Sequence, residues 1–369
     1  MPTSRPVATA AVTPATTPDA ITASADAGPN RRQFFKYVAA VGIGTQTFMK
    51  SGDLRAAVFD AKESVALPWP EMRYRTLGRT GFEASRLIYG CGAAFMRTAN
   101  ERRLNMAFDA GINVFDVGTS RYYDMAERNM KGFLKTHREQ IFLISKSFIP
   151  QRDIQPEDDF SVGEARKAAA GWLEYLDESL SELGTEQVDA YYLMGTSNTK
   201  VVASEEMYNA FLAAKQAGKA RFFGLSTHQN AQAVLETAIE TGWYDLAMIA
   251  ITPGGWYDWN SKKLLPGTPK LTELRPLLDR ARESGIGLIG MKAVRYLAGG
   301  WVGGSGRQKA FNEHYDEKLL QTKISAFQRS YAYVLENGLD AVNADIQNDS
   351  QLKENFIAAA MSDQFVATA

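Results

Sequence analysis

Cysteine is nearly absent. Cys91 is the only one in 369 residues, so the chain cannot close an internal disulfide, and a cluster held by about four thiolates is excluded with it. Any redox chemistry therefore needs a bound organic cofactor. An excess of charge is missing too. Lys and Arg number 41 against 42 Asp and Glu, a net charge of -1, which leaves no surplus of cations for a phosphate backbone or an anionic bilayer. No nucleic acid partner is expected. Histidine is limited to His137, His228 and His314, and no metal site is expected. No stretch reads as a stable membrane span, since the mildly apolar segment 37–49 is too short for one. What is present is 45% hydrophobic and 22% charged, an ordinary composition for a folded core. The length suits two average domains or one large barrel.

Residues 1–29 are rich in Ala, Thr, Pro and Ser without apolar periodicity, a composition that cannot bury a core, and are read as a disordered leader. Asn30-Arg31-Arg32-Gln33-Phe34-Phe35-Lys36 follows, ahead of a weakly apolar stretch containing Gly42 and Gly44. The segment 30–57 resembles a twin-arginine export signal. That resemblance implies the twin-arginine export machinery as a partner and a periplasmic or exported location. Export of an already folded chain suits a protein that takes up its cofactor before leaving.

Over residues 73–360 short apolar runs alternate with segments of helical period, the pattern of a parallel sheet built by crossover helices. Strands are expected at 85–90, 113–118, 141–146, 188–194, 220–226, 246–251, 287–292 and 341–346. Between them, Ala169, Trp172, Leu173, Leu176, Leu180 and Leu183 recur at three and four residues and form one stripe. Gly111, Gly218 and Gly285 stand where left-handed residues would end helices. A doubly wound sheet would offer a glycine-rich turn after its first strand, and Gly90-Cys91-Gly92 lacks the third glycine. The expected fold is α/β, a (β/α)8 TIM barrel with a short N-terminal β-hairpin, and its chemistry belongs at the C-terminal strand ends.

There, the second strand ends near Asp116, with Tyr122 and Tyr123 in the loop, and the third ends in Lys146. An ammonium lowers a phenol's pKa, a carboxylate orients the ammonium, and the phenol gives a proton to a carbonyl oxygen. The ordered set Tyr74-Arg75-Thr76-Leu77-Gly78-Arg79-Thr80-Gly81, Asn113-Val114-Phe115-Asp116, Glu127-Arg128, Ser145-Lys146, Leu225-Ser226-Thr227-His228 and Gln351-Leu352-Lys353-Glu354-Asn355 resembles the aldo-keto reductase family. The resemblance implies NADP(H)-dependent hydride transfer to or from a carbonyl or sugar substrate, a small molecule. It assigns Asp116, Tyr122 and Lys146 to catalysis and Ser226, Thr227, Lys292, Glu354 and Asn355 to the cofactor. The family's phenol follows its aspartate by five residues, where this chain has Arg121, so Tyr122 fits with one extra loop residue and Tyr123 stays open. NADPH and NADH also both stay open.

Several positions depart from the family. Met194 replaces the histidine at the end of the fourth strand, and a thioether cannot polarise a carbonyl. Met248, Ile251 and Thr252 stand where a glutamine and a Tyr-Asn pair hold the nicotinamide. Asp345 replaces a glycine beside the phosphates, with Arg295 placed to pair with it. The aromatic loop Trp256-Tyr257-Asp258-Trp259-Asn260 has the equipment of a sugar-binding rim. These departures sustain two alternatives. One is a barrel that has lost hydride transfer and acts as a lyase, isomerase or binding protein; the other is an accessory protein of the export route.

Overall fold

A computed structural model describes residues 69–150, 154–299 and 305–366. The expected leader 1–29 and the expected signal segment 30–57 lie outside the described residues. Strand β1 (Tyr74–Thr76) pairs antiparallel with β2 (Glu83–Ser85), and this is the N-terminal hairpin. Eight parallel strands follow: β3 (Leu87–Gly90), β4 (Val114–Asp116), β5 (Phe142–Ser147), β6 (Val188–Leu193), β7 (Ala220–Thr227), β8 (Leu246–Thr252), β11 (Gly287–Met291) and β12 (Ala341–Asp345). Each pairs with the next, and β12 pairs back onto β3, so the sheet closes into a barrel. Strands β9 (Gly255–Asp258) and β10 (Lys263–Leu264) form an antiparallel extension that folds back from the end of β8.

The expected first strand began at Ser85; in the structure Ser85 belongs to the hairpin, opposite Tyr74. The corner between them is taken by Arg86, a buried guanidinium that donates to the Leu335 and Leu339 carbonyls and lies 2.5 Å from Glu336. The hairpin closes the N-terminal end of the barrel, with Leu77 and Ala84 in the central core. Its turn can approach this closely only because Gly78, at φ +48°, has no side chain: a Cβ there would stand 2.3 Å from the Gly287 amide nitrogen.

Helices α1 (Glu101–Asp109), α3 (Ala126–His137), α4 (Val162–Leu183), α5 (Glu205–Gln216), α6 (Ala231–Thr241), α7 (Leu271–Glu283), α8 (Ala326–Glu336) and α9 (Asp349–Ala360) belong to the outer layer, while the short α2 (Ser120–Tyr123) lies in the loop after β4. Helix α4 shows why. Ser161 and Glu164 form a capping box at its start, left-handed Gly184 ends it, and Trp172, Leu176, Leu180 and Leu183 are buried. The Trp172 ring packs 4.6 Å from that of Tyr191 on β6. Left-handed Gly111, Gly218 and Gly285, at φ 104°, 73° and 86°, end their helices as the sequence suggests. Inside the barrel, Ile88, Val114, Ile144, Tyr192, Met248 and Ile289 fill the axis. Among the described residues no helix is long and apolar enough to cross a membrane.

Candidate active site

Strand β4 ends at Asp116, which pairs in register with Ile144; Lys146 lies one pleat further along β5 and points the same way. Its Nζ is 2.5 Å from Asp116 Oδ1 and donates to the Val117 carbonyl at 2.7 Å, and both charged residues are buried. Isolated buried charges are costly, so this pair holds only because its other hydrogen-bonding sites are filled. Asn343 fills one. From β12 its Nδ2 donates to Asp116 Oδ2 at 2.5 Å and lies 3.3 Å from Met248 Sδ. The sequence reading missed Asn343, although an amide in the apolar run Ala341-Val342-Asn343-Ala344 was a signal, since a buried polar group needs a partner. Gly90 makes the room, because a Cβ there would stand 2.6 Å from Asn343 Oδ1.

Thr119 caps the short helix α2, which carries both candidate phenols. Successive residues on a helical turn diverge by roughly 100°, so the two rings cannot face the same way. Tyr122, the expected proton donor, is 53% exposed. Tyr123 is half-buried instead, its ring centroid 5.7 Å from Lys146 Nζ, and Cβ atoms on Gly92 or Gly118 would stand 2.7 and 3.0 Å from the ring. The structure thus brings Tyr123, and not Tyr122, against the Asp116–Lys146 pair. Enclosure and the Asp116 charge both push the Tyr123 phenol upward, so its proton is firmly held. Arg121 turns away, over the Tyr175 ring at 4.3 Å and onto Glu178 at 2.7 Å.

Beneath this turn Glu127 ties α2 to β5. Its carboxylate accepts from the Ser120 amide at 3.3 Å and from Ser145 Oγ, the neighbour of Lys146, at 2.7 Å. Burial pushes its carboxyl up to about 7. Glu354 on α9 is likewise raised to about 7 by burial, and its carboxylate is engaged by Ser325 Oγ at the cap of α8. An unfolded glutamate titrates near 4.5. From about pH 4.5 to 7 the folded state therefore holds protons that the unfolded chain has lost, and the stability these groups contribute falls as pH rises through that window. Urea unfolding across it should show a Glu127→Gln, Glu354→Gln double variant gaining on the wild type by a few kcal/mol. Parallel curves would reject both assignments.

The remaining expected residues divide. Ser226 and Thr227 end β7 and are buried; Ser226 Oγ accepts from the Gly195 amide at 3.0 Å and Thr227 Oγ1 donates to the Gln229 carbonyl at 2.7 Å. Lys292 follows β11 in a left-handed conformation, φ +65°. Enclosure, aided by the charge of Arg295, pushes its ammonium down to about 8. Asn355 is buried on α9 beside Glu354, and Ser325 engages one of the two Glu354 carboxylate oxygens. Met194 donates only its amide, to the Ser147 carbonyl at 2.9 Å. His228 lies 5.6 Å, ring to ring, from Trp259; enclosure and nearby cations push its imidazole down to about 3, so it is neutral. Among the described residues no cluster of His, Cys, Asp and Glu has the arrangement of a metal site.

Residues 87–360 match the aldo/keto reductase family. The chain belongs to the aldo/keto reductase family. An aldo-keto reductase from Bacillus halodurans in its holo form is 19% identical with a TM-score of 0.56, over 81% of this chain and 97% of its own. A putative aldo-keto reductase from Pseudomonas aeruginosa is 22% identical with a TM-score of 0.52, over 78% and 95%. At such identities the likeness speaks for the fold. Curated proteins provide no match.

Proposed function

We propose that the chain is an exported oxidoreductase that uses NADP(H) to reduce a small carbonyl compound, with Tyr123 as the proton donor in place of Tyr122. The observation that carries this reading is the phenol of Tyr123 set against the buried Asp116–Lys146 pair at the C-terminal mouth of a barrel of this family. Lys146 holds Asp116 and the end of β4, and Asn343 locks the other carboxylate oxygen, so the floor beneath the phenol is rigid. Enclosure holds the phenol's proton back, and the Lys146 ammonium beside the ring is the group that would ease its passage to a carbonyl oxygen. Neutral His228 is the second donor at the mouth and takes up part of the role that Met194 cannot fill.

Members of this family generally use NAD(P)H, which when bound supplies the hydride. The residues at the end of β11 fit such a group: Nε of Arg295 is buried without a hydrogen-bond partner, and Lys292 has no carboxylate at ion-pair distance among the described residues. Lys292 and Arg295 would hold its phosphates, with Ser226 and Thr227 its neighbours at the end of β7. Glu354 would meet an adenine through the carboxylate oxygen that Ser325 does not hold, with Asn355 beside it. Titration of the purified chain with NADPH and NADH is the test. Saturable binding below millimolar concentration is expected; none at millimolar cofactor would favour the non-redox barrel, a reading that Met194 and Met248 support by supplying thioethers where polar contacts to a nicotinamide are expected. The export reading rests on Arg31, Arg32, Phe34 and Lys36, and cell fractionation that left the protein in the cytoplasm would end it.

A further inference from the structure

Cations converge at the barrel mouth on one aromatic ring. Trp259, in the turn between β9 and β10, packs on the residues that fill the barrel axis. Lys262 Nζ stands 3.0 Å from the centroid of its ring, Lys292 Nζ 4.4 Å and Arg295 Cζ 5.6 Å. Among the described residues none of the three has an acidic partner at ion-pair distance. The acids that act on them from farther off are already engaged: Asp258 accepts from the Asn260 amide, and Asp345 from the Gln347 side chain. Lys262 and Lys292 also sit at φ +57° and +65°, a conformation that L side chains seldom adopt and that clusters at ligand sites. Like charges drawn together repel, and an indole face offsets only part of that. The phosphates assigned to Lys292 and Arg295 would answer two of these charges and leave Lys262, 3.0 Å from the ring centroid, without one.

We propose that Trp259 and Lys262, adjoining the Lys292 and Arg295 cations assigned to the cofactor, form a subsite for an anionic group of the substrate, so that the carbonyl compound reduced here carries a carboxylate or a phosphate. The proposal rests on the reductase reading for the word substrate and on the geometry for the anion. Lys262 comes from the β9–β10 hairpin and not from the β11 end assigned to the cofactor. The indole it covers is seated on the barrel axis. His228 bridges the two regions, since it lies 5.6 Å from the Trp259 ring and feels the charges of Lys146, Lys262 and Lys292 alike. The anion site opens on the same barrel mouth as the Asp116–Lys146 pair, since the β9–β10 hairpin folds back from the C-terminal end of β8 and Asp116 closes the C-terminal end of β4.

The test separates anion binding from turnover. Calorimetric titration of the full chain with malonate and with inorganic phosphate, without cofactor and at constant ionic strength, should show saturable binding. Lys262→Met should weaken it about tenfold or more, and Lys262→Arg should restore most of it. No saturable binding, or equal binding by Lys262→Met, overturns the subsite. If Lys262→Met weakens NADPH but not NADH and leaves malonate unchanged, the charge serves the cofactor and the proposal also falls. With NADPH, a short aldehyde acid such as succinic semialdehyde should be preferred over butanal, and Lys262→Met should erase that preference through KM. Equal use of the two aldehydes by the wild type overturns the substrate assignment while leaving the reductase standing. Lys262-dependent malonate binding with no turnover of either aldehyde supports the anion site and sinks the reductase reading.

Discussion

Replacing Lys146 by methionine is expected to lower turnover about a thousandfold and stability by about 3–5 kcal/mol. The stability effect follows from what remains. Asp116 is 4% exposed, and without the ammonium at 2.5 Å its carboxylate keeps only the Asn343 amide. An uncompensated buried charge costs more than the pair ever contributed. Asp116→Asn added to Lys146→Met removes that charge and should recover much of the lost stability, while activity stays low because the phenol's cationic neighbour is still missing. A double-mutant cycle read by urea unfolding and by turnover separates the two effects. Wild-type turnover in the folded Lys146→Met variant would remove the pair from the chemistry.

Strand count, barrel closure and helix ends were legible because each depends on local pattern: apolar runs of strand length, a 3.6-residue stripe on α4, and glycines that tolerate positive φ. Asp116 and Lys146 were legible for a related reason. A charged residue closing an apolar strand in a barrel points to the mouth, and adjacent strands bring two such residues together. The phenol was not. Tyr122 and Tyr123 differ by one step on a helical turn, and which one faces Lys146 depends on where Thr119 starts that turn. Asn343 is 227 positions from the carboxylate it holds, and local pattern carries no information over that separation. His228 reads as a solvated loop residue until the β9–β10 extension is seen to place Trp259 beside it. The same extension sets Lys262, Lys292 and Arg295 around Trp259, an arrangement that the aromatic loop alone does not reveal. Glu354 matches the family by motif, while the Ser325 hydroxyl that holds one of its oxygens comes from a separate helix cap and was not legible there.

Tyr123→Phe is expected to reduce turnover by about 10²–10⁴-fold, whereas Tyr122→Phe should leave it within about twofold. The Tyr123 ring is confined between Gly92 and Gly118 and stands over the Lys146 ammonium. Its hydroxyl makes no hydrogen bond with any described residue, so removing that oxygen should leave fold and cofactor affinity nearly unchanged. A selective loss of turnover is then attributable to the missing proton. Tyr122 has its ring edge against Tyr123 at 4.8 Å and its surface in water, so losing its hydroxyl should cost little. Measurement of kcat and of NADPH affinity for both variants decides the assignment. A large loss in Tyr122→Phe alone would mean that α2 turns over when substrate binds. Unchanged turnover in both variants would leave neither phenol as the proton donor, and neutral His228 would be the next donor at the mouth to test.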